Sequence, residues 1–326
     1  MALKTPLGWA ASRWTLSPRA LRWATTAALV VSIIIVFTGG LVRVTGSGLG
    51  CPDWPTCEGG SIAPSPELGI HGVIEFANRL LTTVIVIAVG WVIIAARLQS
   101  PRVRSVTRLA WSQFWLVVAN AVAGGITVLV KLNPWVVALH FVLAIALLAT
   151  TTLTWHRVHE RRPAPAGAVT RPSGVLAWLL VAATTALVVV GTLVSGSGPH
   201  SGDSADVPRM QLDWLTVTIV HGVLGTVVLV LAVALLLLNR GPDARARLIR
   251  RRALVFVVVV LAQGLVGTVQ ALTGLPATLV SFHLLGAALV WVGVLRVLLD
   301  VHPALFAGVG GTVKPLPIPD RSAPGL

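Results

Sequence analysis

The sequence predicts an all-α integral membrane protein. It has eight transmembrane helices, arranged as two pseudo-symmetric four-helix bundles with both termini cytoplasmic. Three observations lead there. Of 326 residues, 55% are hydrophobic and only 11% are charged, where a soluble domain carries about a quarter. Apolar runs of roughly twenty residues, long enough to cross a bilayer, recur eight times. The net charge of +14 falls between those runs rather than on one soluble face. It therefore reads as a topology signal and not as a nucleic-acid surface.

Residues 1–22 form a polar cytoplasmic segment with Lys4, Arg13, Arg19 and Arg22. Trp23–Val42 is the first span. It is not a secretory signal, because a basic leader of about two dozen residues precedes it and no small-residue cleavage pattern follows. A Gly- and Pro-rich loop over 43–69 holds both cysteines. The second span covers 70–96, and Arg97, Arg102, Arg104 and Arg108 close it. The third covers 109–130. Lys131 to Pro134 turns the chain into the fourth, which ends near Trp155. Residues 23–155 are thus the N-terminal bundle. Residues 156–174 are a basic cytoplasmic linker with Arg157, Arg161, Arg162 and Arg171. The fifth span, 175–195, opens the C-terminal bundle, 175–299. A polar loop with Asp203, Asp206 and Asp213 separates it from the sixth span, 215–238. The most basic loop, from Arg240 to Arg252, leads to spans over 253–272 and 276–299. Residues 300–326 are Pro- and Gly-rich and are expected to be a disordered cytoplasmic tail. Basic clusters alternate with acidic or neutral loops, which places both termini inside. Trp111, Trp135, Trp155, Trp178 and Trp214 fall near span ends, as interfacial anchors do.

The chain also repeats itself. ANAVAGGITVLVKLNPWVVALHF, from Ala119, parallels AQGLVGTVQALTGLPATLVSFHL, from Ala262. Gly124 and Gly267 each precede a histidine, His140 and His283, by sixteen residues. FTGGLVRVTGSG, from Phe37, echoes VVGTLVSGSG, from Val189, and HGV occurs at both His71 and His221. Apolar helices generate false repeats, but here histidines and glycines match together. Two copies of a four-span unit share one orientation, with a pseudo-two-fold axis along the membrane normal.

Four histidines, His71, His140, His221 and His283, lie in spans towards the outer side. A lone intramembrane histidine is most often a hydrogen-bonding group. Two pairs at matched depth instead suit haem, because two helices that each offer one imidazole inward make a six-coordinate site. His71 and His140 are 69 residues apart, and His221 and His283 are 62 apart. A longer connection in the first half accounts for the difference. Glu75 is the only carboxylate well inside a span. It is either an i,i+4 partner of Arg79 or a proton-transfer group at a bound substrate. Its counterpart, by the HGV alignment, is Gly225. Cys51 and Cys57 share an outer, oxidising loop, so a disulfide is the default, serving as a staple or as a redox pair. Two thiolates without nearby histidines are too few for zinc.

GGLVRVTGSGLGCPDWPTCEG, from Gly39, IEFANRLLT, from Ile74, PWVVALH, ending at His140, GSGPHSGD, from Gly196, and TGLPATLVSFHLLGAALVW, from Thr273, together resemble the haem A synthase family, in an actinobacterial-like branch. The resemblance implies a membrane enzyme that oxidises a ring methyl of haem O to a formyl group by successive hydroxylations, for cytochrome oxidase biogenesis. It implies haem b in the C-terminal half, on His221 and His283. The substrate haem lies in the N-terminal half, with His140 and Glu75 in its site. Cys51 and Cys57 match the family's disulfide pair. The implied partners are haem O, a haem O synthase, a cytochrome oxidase or its assembly factors, an electron acceptor and membrane lipid. No nucleic acid is expected, and homo-oligomerisation is left open. One position departs from the family: Asn78 stands where members often carry histidine, in a Glu-x-x-His-Arg pattern. Carboxamide is a weak iron ligand, so His71, paired with His221 by the repeat, is assigned as the second ligand of the substrate haem. The alternative is a non-catalytic di-haem b-type carrier that exchanges electrons with quinone. A transporter built of parallel repeats would hold no haem.

Overall fold

The computed structural model describes residues 5–159, 167–203 and 207–303. Among the described residues nine α-helices follow in order: α1 Pro6–Ala11, α2 Pro18–Val44, α3 Gly69–Arg97, α4 Arg104–Leu129, α5 Pro134–His159, α6 Arg171–Ser197, α7 Trp214–Leu238, α8 Ala244–Leu272 and α9 Ala277–Val301. The eight helices α2–α9 are long and apolar enough to cross a membrane. Among the described residues there is no strand, only two isolated bridges.

The helices overrun the spans that hydropathy predicts. Hydropathy finds the part that crosses hydrocarbon, whereas caps decide where the backbone turns helical. Ser17, Thr170, Asp213 and Asp243 each accept a bond from the amide three residues on, and so start α2, α6, α7 and α8. α2 accordingly begins at Pro18, inside the predicted N-terminal segment. α8 begins at Ala244, inside the basic loop. α5 runs to His159 and α6 starts at Arg171, so the linker expected over 156–174 contributes to both. α9 ends at Val301; the tail expected over 300–326 falls, from residue 304 on, outside the described residues.

Within each half, neighbouring helices close a ring. α2 packs on α3, α3 on α4, α4 on α5 and α5 on α2; α6 to α9 follow the same cycle. The two rings meet along α2 and α5 against α9, and α5 against α6. Trp291 of α9 donates from Nε1 to the Ile145 carbonyl of α5 across that seam, at 3.1 Å. At the histidine end the loops join as well. The Gly48 amide donates to the Gly202 carbonyl at 2.8 Å, and the Leu49 amide to Asp203 Oδ2 at 3.0 Å.

The apolar core sits at the other end. On α3 the buried aliphatic residues run from Ile85 to Ala96, on α7 from Val228 to Leu235, and on α8 they end at Val260. α7 before Val228 and α8 after Val260 contain no buried residue. Dense packing holds the bundle at one end, and the histidine end is left open between helices.

Candidate functional site

His221 on α7 and His283 on α9 face each other with ring centroids 6.2 Å apart. Two imidazoles bonding one metal ion from opposite sides, at about 2 Å each, would place their centroids about 6 Å apart. Among the described residues no third His, Cys, Asp or Glu completes a metal cluster. The pair therefore suits an iron whose remaining ligands come from a macrocycle. The haem that the sequence leads one to expect fits this donor set.

What positions the two rings is a recurring arrangement. A Cβ added to Gly191 of α6 would meet His221 Cε1 at 3.1 Å, and one added to Gly267 of α8 would meet His283 Cε1 at 3.0 Å. One turn before each glycine a backbone carbonyl, Leu187 or Gln263, lies against the same ring. The glycine removes the side chain that would keep the imidazole off that carbonyl. Nδ1 of both rings is buried and lacks a partner of full hydrogen-bond geometry. A bond from Nδ1 to that carbonyl would leave Nε2 for a metal, as in metal-binding histidines generally. Gln263 also donates to the His283 carbonyl at 2.6 Å, fixing α8 to α9 beside the ring.

The N-terminal half repeats this once. Gly124 of α4 would meet His140 Cε1 at 3.2 Å, and the Asn120 carbonyl, one turn earlier, lies against the ring. His140 Nδ1 is likewise buried and unpartnered. On the opposite helix pair the arrangement differs. Asn78 of α3 accepts a bond from Thr38 of α2 at 2.8 Å, and the adjacent Gly39 has open space above it. His71 lies seven residues nearer the helix start, about 10 Å along the axis. Its Nδ1 meets Ser47 Oγ at 2.9 Å, beyond the end of α2. Asn78 and His140 are 62 residues apart, the spacing of His221 and His283. Among the described residues, His71 forms no ring pair with His140 like that of His221 with His283.

Glu75 is 5% exposed, and both its oxygens are engaged. Oε2 accepts from the Cys51 amide at 2.7 Å, and Oε1 accepts from Arg79 Nε at 3.0 Å and Nη2 at 2.5 Å. Arg79 then donates to three carbonyls of the cysteine loop: Cys51 at 2.9 Å, Asp53 at 2.9 Å and Thr56 at 2.8 Å. Cys51 and Cys57 are bonded, with S–S 2.02 Å, and both are buried. The pair foreseen on α3 is thus also the anchor of the disulfide loop. The loop carries Trp54 onto α4, where the ring lies so close that a Cβ on Gly125 would overlap it at 2.3 Å. Gly125 is next to the Gly124 that seats His140. The loop therefore covers the histidine end of the N-terminal half. Arg79 as a loop anchor and Trp54 as a cover were not foreseeable from spacing, because their partners are backbone atoms far away in sequence.

The chain matches the family model described as "COX15-CtaA: Cytochrome oxidase assembly protein" over residues 21–295. It is 24% identical over 278 residues to a protein of Staphylococcus epidermidis named Heme A synthase, covering 81% of this chain and 90% of that one. A protein of the same name from Staphylococcus aureus is 23% identical over 277 residues, covering 81% and 90%. One from Lysinibacillus sphaericus is 33% identical over 136 residues, covering 41% and 44%.

Proposed function

The chain belongs to the COX15-CtaA family of cytochrome oxidase assembly proteins, and from that premise we propose that it makes haem A from haem O. The reaction is oxidation of a ring methyl to a formyl group by successive hydroxylations. The relatives' shared name supports synthesis over a non-catalytic di-haem electron carrier. The observation that carries the assignment is the His221–His283 pair, 6.2 Å apart in the open end of the C-terminal half.

In this reading His221 and His283 of residues 175–299 would hold haem b, and residues 23–155 would receive haem O, with His140 as one ligand to its iron. Bound haem supplies redox-active iron; the chain supplies orientation and proton handling. His71 is the second ligand of the substrate haem. Ser47 takes its Nδ1, which leaves Nε2 for iron. A second reading rests on the Thr38–Asn78 contact and the open space at Gly39. There Asn78 occupies the place of His221, and the substrate iron has one protein ligand. Glu75 handles protons at the substrate methyl while Arg79 and the Cys51 amide hold it in place. The four-helix units are related by a pseudo-two-fold axis, both termini are cytoplasmic, and the disulfide loop faces outward in the cell membrane. This is the orientation that the basic loops favour.

Pigment extraction from the purified protein tests the function. Haems O and A recovered beside haem b are the expected result. Haem b alone points to the electron carrier, and colourless protein defeats both haem-based readings.

A further inference from the structure

At the end of the bundle opposite the histidine pairs, where the basic loops lie, a cleft of about 270 Å³ opens between α2 and α5, lined by Arg19, Arg22, Trp23, Thr26 and His159. Its floor is fixed. The His159 ring stacks on Trp155 at 4.4 Å, and Trp155 Nε1 donates to Thr26 Oγ1 at 3.1 Å. The Arg296 guanidinium lies over the Trp155 ring at 4.8 Å, which adds a third positive charge near the cleft. Arg19 and Arg22 form no ion pair with a carboxylate among the described residues. Arg22 also lines a second, smaller cavity of about 80 Å³ with Gln99.

Below the arginines the same face of α2 turns apolar. Trp23, 68% exposed, is followed at helical spacing by the exposed Val30 and Ile34. Cationic side chains above an exposed apolar stripe match a phosphate head group above an acyl chain. Basic pockets between membrane helices bind such head groups. The corresponding place in the other half is shut. Aligning Gly39 with Gly191 sets Gly174 where Arg22 stands, and there His302 packs on Gly174 and its Nε2 meets the Gly174 carbonyl at 3.1 Å. We propose that the α2–α5 cleft is a binding site for one anionic phospholipid, with Arg19 and Arg22 on the phosphate and Trp23 against the glycerol and upper chain.

The test uses the full chain in nanodiscs of mixed phosphatidylglycerol and phosphatidylcholine, followed by native mass spectrometry of the released protein. Wild-type protein should retain one phosphatidylglycerol in preference to phosphatidylcholine. Excess inorganic phosphate should fail to displace it, because phosphate lacks the chain. In the double variant Arg19→Gln/Arg22→Gln the preference should fall by roughly 30-fold, the factor expected for two arginines at the surface. Arg240→Gln, in another basic loop, should retain it. Equal retention of the two lipids by the wild type overturns the proposal without reference to any variant. So does displacement by inorganic phosphate, or undiminished preference in a double variant that elutes as a folded monodisperse peak.

Discussion

At the residue scale, the same side chains have two jobs to separate. Glu75 accepts from the Cys51 amide and from Arg79, so its charge stabilises the loop as well as any chemistry. Glu75→Gln keeps the shape and removes the titratable group. We expect haem b to remain on His221 and His283 and haem A formation per folded molecule to fall by about a hundredfold, the loss typical of an acid/base group. If haem A yield per folded molecule is normal and only the amount of protein drops, Glu75 is a structural partner of Arg79. The second ligand of the substrate haem is decided in the same way. His71→Ala should abolish substrate-haem binding while the haem b spectrum stays intact, and Asn78→Ala should be mild. The reverse outcome assigns the position to Asn78, where Thr38 now bonds it. Position 71 stood out in the sequence because HGV recurs. Whether it lies level with His140 is a question of depth, which the motif does not carry.

At the element scale, the helices that face the histidines matter as much as those that bear them. Gly191 on α6 and Gly267 on α8 admit His221 and His283 against a backbone carbonyl, and Gly124 on α4 does so for His140. Gly267→Val puts two methyl groups where Cε1 of His283 already lies 3.0 Å from a would-be Cβ. Absorbance and electron paramagnetic resonance of the purified variant should show loss of the low-spin haem b signal. The helix itself should persist, because valine is no worse a helix former than glycine. An unchanged low-spin signal would mean that the ring does not need this seat. The sixteen-residue interval from glycine to histidine was readable in the sequence as a repeat. Its physical meaning, a ring seated on a facing helix, was not, because spacing along one chain does not say which faces meet.

At the scale of the whole molecule, the disulfide loop and the junction between halves belong to one surface. The Cys51–Cys57 bond sits beneath Arg79, and the loop's neighbours Gly48 and Leu49 bond to Gly202 and Asp203 of the other half. Thiol labelling of intact cells with a membrane-impermeant reagent should therefore give no signal until a reductant is added; ready labelling without reductant contradicts the assignment. If the bond is a staple, Cys51→Ser/Cys57→Ser lowers yield and leaves turnover per folded, haem-loaded molecule unchanged. If it relays electrons, that turnover falls. The sequence by itself determined the all-helical class, the eight spans and the histidines worth testing, because apolar runs and intramembrane imidazoles are local features that follow directly from the cost of placing polar groups in hydrocarbon. Only the tertiary structure decided which groups meet: His221 with His283, each ring with its glycine, Glu75 and Arg79 with the backbone of a loop more than twenty residues away. Those contacts join residues whose separation along the chain bears no relation to their distance in space. They depend on the packing that turns each helix face, which a one-dimensional pattern does not specify.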